Sequence, residues 1–431
     1  MKRWGLLPLL ALTLFAAPPK PLNVDDLIAL AIANSPDLNI SRAALEAARQ
    51  NTRLQRADYL PQLDLSVSGG AAGVKTDTSG VKTDQDGGLI SGSITASQLL
   101  YDFGKTGGSI RGASFDANAS AAALAQAVSD KIFSVKNAYY TVLKTMNLIG
   151  LNRENVSLTE QQLHRARRYY ESGIRTKIDV TDARVNLINA QLQLQDAQYE
   201  LERSRIDLER VIGISPCGGD YTLSGADINT SDLYRTLPDV DQPIDALETF
   251  AYAHRPELEQ YVFKVKSARE ALSSARGDYY PSVSLLGSYT RNVTDDNMQI
   301  YFPKQQWGAG VGLGWNLFGG WRTDAGVGYA RAELMRSRAA YDDTKLRIKK
   351  EVADAHTQTL KRRDSVKLSQ SLTEAAKEKF VQASKRYEYG LSDYIELQQA
   401  RQGYIDAGTN LIVQYYNFYI ALALRDRAMG K

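Results

Sequence analysis

Four stretches of the chain alternate apolar with small or polar residues. Leu63, Leu65 and Val67 are set against Gln62, Asp64, Ser66 and Ser68, and Ile90, Ile94 and Ala96 against Ser91, Ser93, Thr95 and Ser97. Val283, Leu285 and Tyr289 are set against Ser282, Ser284, Ser288 and Thr290. Ala309, Val311, Leu313, Trp315 and Leu317 are set against Gly308, Gly310, Gly312, Gly314 and Asn316. A period of two sends successive side chains to opposite faces of a strand. The pattern therefore predicts four β-strands, each with one apolar face and one small, polar face. Elsewhere the period changes. Val180, Ala183, Leu187, Ala190, Leu194, Ala197, Leu201, Ser204, Leu208 and Val211 follow steps of three and four. So do Leu397, Ala400, Tyr404, Ala407, Leu411, Gln414, Phe418 and Ala421, and also Val128, Ile132, Val135, Tyr139, Val142, Met146 and Ile149. A spacing of ~3.5 residues held over several heptads means helices packed as coiled coils.

The same order of elements occurs twice. "RYYESGIRTKIDVTDAR" starts at Arg168 and "KRYEYGLSDYIELQQAR" at Lys385, an offset of 217. "NSPDL" at Asn34 answers "HRPEL" at His254, and "ADYLPQL" at Ala57 answers "GDYYPSV" at Gly277, both offset by 220. "LYDFGK" at Leu100 answers "LFGGWR" at Leu317, again offset by 217. The separation from Leu100 to Tyr170, and from Leu317 to Tyr387, is 70 residues in both copies. A constant length under drifting sequence points to a geometric constraint on that segment.

Two repeats are predicted, 24–213 and 244–425, with 214–243 linking them. The first holds a helix from Val24 to Asp58, a strand hairpin over 62–100, a long helix over 106–170, a tip at 170–178 and a returning helix over 179–211. The second holds a helix from Ile244 to Asp278, a hairpin over 282–318, a long helix, a tip at 387–395 and its returning helix. Pro61 and Pro281 end the opening helices, because the residue before proline is pushed out of the α region. Gly69–Gly88 and Asn292–Gln306 read as polar hairpin loops. The long helix reaches roughly 100 Å at ~1.5 Å per residue. The entry and returning helices are each about half as long, so two laid end to end would match it and line a hollow cylinder without gaps.

Lys2 and Arg3 precede an apolar run from Trp4 to Phe15 and then Ala16 and Ala17, which reads as a secretory signal over residues 1–17. No cysteine follows that could carry a lipid. Later apolar runs are too short or too interrupted to span a bilayer as helices; Gln414 and Asn417 break the best of them. Entry into a membrane is then possible only as a closed β-barrel. Tyr59, Tyr101, Tyr279 and Tyr280 mark strand ends, and Trp307, Trp315 and Trp321 crowd around the fourth strand, as in an interfacial aromatic girdle. Bacterial barrels need at least about eight strands, so several copies must pool theirs.

Other chemistries find little support. A formal net charge of +3 is no nucleic-acid signature. The single cysteine, Cys217, cannot form an internal disulfide. His164, His254 and His356 stand on unrelated segments without metal-ligand spacing. "GAGVGLG" at Gly308 lacks the lysine of a phosphate loop. No nucleophile–base pair stands out, so neither catalysis nor a cofactor or metal is expected. A soluble periplasmic coiled-coil scaffold or adaptor remains as an alternative. It accounts for the heptads and tips but not for the paired, aromatic-ended strands.

The duplicated helix, hairpin, long helix, "YxxG" and helix order resembles the TolC family of outer-membrane efflux proteins over residues 24–425. The resemblance implies a mixed α and β membrane protein. It would be a homotrimer with a 12-stranded outer-membrane barrel, four strands per chain, continued by a long periplasmic α-helical tunnel. It implies an exit duct for efflux or type I secretion, working with a periplasmic adaptor and an inner-membrane transporter. Ser172, Gly173 and Ile174 in one tip, and Tyr389, Gly390 and Leu391 in the other, match the family's adaptor contacts. Asp179 and Asp182 match the acids of its constriction; Glu396 and Gln399 hold the same offsets in the second copy. Threefold symmetry would make rings of carboxylates that attract cations. Tyr170, its counterpart Tyr387, and Arg175 match the links that lock the closed end, with Glu396 as acceptor for Arg175. Two features depart from the family pattern. Ile395 stands where a hydroxyl side chain is usual, and the arginine-bearing tip is the first rather than the second. A solvated helix end is the plain alternative for these charges.

Overall fold

The computed structural model describes residues 21–78, 81–219, 221–225, 233–294 and 302–431. The expected signal segment lies outside them. Each opening helix is in fact two. α1 (Val24–Asn34) and α2 (Pro36–Ala57) are separated at Ser35, and the later pair α5 (Ile244–His254) and α6 (Pro256–Gly277) at Arg255. Ser35 (φ −64°, ψ 123°) and Arg255 (φ −78°, ψ 115°) are extended because each precedes a proline, which then starts the next helix.

The long helices α3 (Lys105–Glu171) and α7 (Arg322–Glu388) contain 67 residues each. Their returning partners α4 (Lys177–Ile212) and α8 (Tyr394–Met429) contain 36 each. α2 and α4 both pack on α3, and α6 and α8 both pack on α7. The short helices of each copy meet nearly end to end. A side chain on Gly213, just past α4, would sit 2.9 Å from the Asn34 backbone, and one on Gly430, just past α8, 2.8 Å from the His254 carbonyl. α6 and α8 also pack on α3, which joins the two repeats side by side.

β1 (Gln62–Thr78), β2 (Val81–Tyr101), β3 (Ser282–Thr294) and β4 (Gln305–Gly314) form one antiparallel sheet in chain order. The first hairpin is longer than its side-chain pattern predicted. The ladder runs through the expected loop Gly69–Gly88 as far as Thr78 opposite Val81. Backbone hydrogen bonds need no apolar alternation, and Lys75 pairs with Asp84 directly across the two strands at 2.7 Å. β4 ends earlier than its pattern, at Gly314, which leaves Trp315 and Leu317 in the turn toward α7. The hairpins superpose in register. Gln62 faces Ser97 and Ser282 faces Gly314, pairs related by the repeat offsets.

The register gathers the apolar residues on one face. Leu65 lies opposite Ile94, Ile94 opposite Tyr289, and Tyr289 opposite Trp307; Leu285 lies opposite Val311. All six are exposed. The other face carries Ser66 opposite Ser93, whose hydroxyls are 2.8 Å apart, then Thr290, Ser288 and the β4 glycines, with Leu89, Leu99 and Leu286 among its paired residues as well.

The main core lies near mid-length. Leu27, Val135, Val142, Leu208 and Phe418 pack there with Leu223, Leu233 and Val240 of the linker. The linker is anchored by a buried carboxylate. Glu209 accepts the backbone N–H groups of Cys217, Gly218 and Gly219 at 2.6, 2.9 and 2.7 Å. Burial opposes its charge, but the three donors outweigh burial and hold the carboxyl below its ordinary value. A depressed carboxyl contributes stability above its unfolded pKa, ~4.3, and loses it as pH falls through the folded value. Glu209→Ala strands three donors and is expected to cost about 1–3 kcal/mol. Thermal melting followed by helix circular dichroism should show that deficit at neutral pH and its shrinkage below about pH 4.

Candidate functional site at the helix tips

Both long helices end in the same way. The N–H of Gly173 donates to Tyr170 O at 2.9 Å and that of Ile174 to Tyr169 O at 2.9 Å; the N–H of Gly390 donates to Tyr387 O at 3.1 Å and that of Leu391 to Arg386 O at 2.8 Å. This pair of reversed bonds closes a helix around a left-handed residue. Gly173 (φ 74°) and Gly390 (φ 72°) supply it without a Cβ clash. The next helix starts on a side-chain cap. Asp179 accepts from the Thr176 N–H at 3.1 Å, and Asp393 from the Glu396 N–H at 2.9 Å.

Duplicated residues take different places. Tyr170 is 47% exposed, whereas Tyr387 is 2% exposed. Arg175 reaches from the first tip to the second. Its Nη2 donates to the Ser392 carbonyl at 2.8 Å, and its guanidinium lies 5.3 Å from the centre of the Tyr387 ring. The expected acceptor Glu396 is engaged elsewhere within one chain: it accepts from Arg386 Nη1 at 2.6 Å. Arg386 lies one turn before the tip and points back along its own hairpin, whereas Arg175 sits against the neighbouring one. The Tyr387 hydroxyl is buried with no hydrogen-bond partner among the described residues. Burial raises its pKa, and the nearby Arg175 only partly offsets that, so Tyr387 stays neutral.

Asp179 is half-buried and Asp182 exposed, one turn apart on α4. Asp179 is thus a helix cap first, although its second oxygen stays available. The tip residues Ser172, Ile174, Tyr389 and Leu391 are all exposed. So are Ile178 and Ile395, which makes the end of the hairpins apolar as well as charged.

Several residues here escaped the sequence reading. Tyr394 is buried and accepts from Asn186 Nδ2 at 3.0 Å, while Gln398 donates to Asn186 Oδ1 at 3.0 Å. Tyr169 donates to the Glu388 carbonyl at 3.4 Å. Arg401 is buried against Asn155 of α3, and burial lowers its pKa. The available signal was a break in the repeat: Tyr394 answers Lys177, where most neighbouring positions match. Asn155 and Asn186 gave none.

The aromatic positions sort into two levels. Tyr101 meets Phe103 edge-on at 4.8 Å, Phe103 stacks on Tyr280 at 5.0 Å, and Trp315 donates to the Tyr279 carbonyl at 3.1 Å. Trp321 packs edge-on against Phe318 at 6.1 Å, and the Tyr59 hydroxyl lies beside Gly107. These six sequence-predicted residues ring the junction of sheet and helices. Trp307 stands apart, eight residues before Trp315, roughly 26 Å along a strand at ~3.3 Å per residue. At the ~40° tilt of barrel strands that is about 20 Å of height, a little under the ~25 Å apolar band of an outer-membrane barrel.

Comparison with known proteins agrees with this geometry. Residues 27–214 and 250–430 match the family described as outer membrane efflux protein. The chain belongs to that family. It is 24% identical over 397 residues to the probable efflux pump outer membrane protein TtgC of Pseudomonas putida, covering 90% of this chain and 79% of TtgC. It is 24% identical over 406 residues to the alkaline protease secretion protein AprF of Pseudomonas aeruginosa, covering 91% and 81%. Among solved structures, the Campylobacter jejuni CmeC outer membrane channel superposes with a TM-score of 0.81 at 18% identity, over 94% of this chain and 85% of that one. The efflux family is one of transport channels rather than enzymes, and its members are outer-membrane proteins.

Within this family member, the Arg175 bridge makes a defined prediction. Arg175→Ala removes one charge-assisted hydrogen bond and one ring contact, about 1–3 kcal/mol together. Spin labels at Ser172 and Tyr389 should then report a longer and broader distance distribution by pulsed electron resonance. An unchanged distribution would mean that the tips are held by the Tyr169–Glu388 and Asn186–Tyr394 contacts without Arg175.

Proposed function

We propose that this chain is the outer-membrane exit duct of a tripartite efflux or type I secretion system, assembled from three copies and opened at its periplasmic tips. The observation that carries the proposal is a sheet with one exposed apolar face, aromatic levels at both ends and two free edges. Lipid tolerates no open edge, and three copies of four strands would close a twelve-stranded barrel. The helices repeat the geometry of the sheet. β1, α2 and α4 lie on one flank of the molecule and β4 and α7 on the other. Flanks that differ join head to tail and close into a ring when the rotation allows. The ring of α3 and α7 would continue the barrel as a tunnel about 100 Å long.

In this reading the six tips form the periplasmic mouth. Ser172, Gly173, Ile174, Tyr389, Gly390 and Leu391 would meet a periplasmic adaptor that links the duct to an inner-membrane transporter. Asp179 and Asp182 would line the constriction, with Glu396 beside them. Arg175, Tyr170 and Tyr387 would set how firmly the hairpins stay together. The names of the relatives run from efflux pump to protease secretion, so they support a shared duct rather than one cargo.

Conductance in planar bilayers tests the proposal. The native protein should give small, cation-selective channels that multivalent cations block. The Asp179→Ala/Asp182→Ala variant should lose both the preference and the block. Channels unchanged in the variant would keep the duct and move the constriction elsewhere. Protein that is soluble without detergent and silent in bilayers would favour the periplasmic scaffold.

A further inference from the structure

The outward face of the sheet is uncharged with one exception. Its rows run from Val283 opposite Leu313, next to the helices, to Ile90 opposite Val293 at the far end. Every residue of these rows is aliphatic, glycine, aromatic or glutamine except Arg291 of β3. Arg291 is exposed and makes no hydrogen bond or ion pair among the described residues. The duplication does not demand it, since the residue 220 positions earlier is Ala71. An unpaired guanidinium on a face turned toward lipid needs a partner from outside the chain.

The surroundings of Arg291 narrow the choice. It lies opposite Gly92 on one side and Gln305 on the other. A side chain on Gly92 would meet nothing within 4 Å, so the surface beside the guanidinium is open. One row nearer the helices, Tyr289 and Trp307 stand side by side, and Trp307 is 78% exposed. Arg291 is eight residues beyond Val283, ~26 Å along the strand and about 20 Å in height at the ~40° tilt of a barrel strand. Its stem carries the charge farther still. That height is near the outer edge of an apolar band of ~25 Å. Arginine on the lipid face is costly at the bilayer midplane and nearly free at the interface. The groups present at the interface are lipid headgroups, and their usual anion is phosphate. A guanidinium grips phosphate with two parallel N–H donors.

We propose that Arg291, with Gln305 beside it, binds the phosphate of an anionic lipid in the outer leaflet, whose chains lie over the Tyr289 and Trp307 rings. The inference rests on the barrel reading and adds to it a preferred lipid at one defined place on each copy. The geometry suits a lipid better than a free anion. Headgroup and chains of one lipid meet the donors and the rings together, because the rings lie on the side toward the bilayer midplane. Inorganic phosphate would meet the donors alone and would stay in water.

Trp307 itself reports on the site. In the processed chain carrying Trp315→Phe and Trp321→Phe it is the remaining tryptophan, since Trp4 lies in the expected signal segment. The protein is reconstituted in mixtures of phosphatidylglycerol and phosphatidylcholine, with one or the other lipid brominated in its chains to quench tryptophan fluorescence. At equal mole fraction, phosphatidylglycerol should occupy the surface beside Trp307 about fivefold more than phosphatidylcholine, the enrichment expected of one basic residue at the interface. Arg291→Gln should bring that ratio to about one, and Arg291→Lys should keep part of it. Excess inorganic phosphate should leave it unchanged; a ratio abolished by phosphate would assign the site to the free anion and overturn the lipid. Equal quenching by the two lipids, or an enrichment that survives Arg291→Gln, would overturn the proposal and leave the barrel in place. A Trp307 quenched by neither lipid would take the sheet out of the bilayer, and the proposed duct with it.

Discussion

An antiparallel sheet of four strands ends in two rows of backbone groups with nothing to bond. In water that is a manageable liability. In hydrocarbon each unsatisfied group costs several kcal/mol, so the sheet must be completed by further strands. Once the edges of the sheet are assigned to other copies, the helices have no choice. They leave the sheet in the same lateral order as the strands, and their free flanks fall on the same two sides. The tunnel wall is a consequence of barrel closure carried over a long distance by stiff elements.

Much of this was legible in the sequence, because it rests on periodicity. The heptads of α4 and α8, the alternation of β3 and the constant offsets all report directly on which residues face which way. The breaks at Ser35 and Arg255 were less visible. A proline at the start of a helix looks much like a proline within one until the preceding residue is seen to be extended. The outer half of the first hairpin was missed for a different reason. Its pairing depends on backbone bonds and one cross-strand ion pair, neither of which leaves a hydrophobic pattern. At the tips the sequence indicated the turn but not the contacts, since Arg175 finds its acceptor on a carbonyl, and any residue could have supplied that.

Duplication also relaxes what each position must do. Arg184 and Arg401 answer one another; the first is exposed and the second is buried against Asn155. Tyr170 and Tyr387 divide in the same way. One copy of each pair is committed to holding the chain's own hairpins together. The other is left for an interface or for solvent. The tips can therefore become unlike in function while their turns stay the same, because the glycine bonds that shape each turn involve no side chain.

The equal lengths of α3 and α7 carry an evolutionary consequence. A residue inserted in one of them would rotate everything beyond it by about 100°, and in a ring of three copies would unseat three long helices against three unaltered ones. The loss could be mended only by a matching change in the other repeat. Descendants of this chain should therefore gain and lose residues at the outer hairpins, where the repeats already differ by three residues between Pro61–Leu100 and Pro281–Leu317. The linker can drift as well. The long helices behave as a gauge block, free to change in composition and fixed in length.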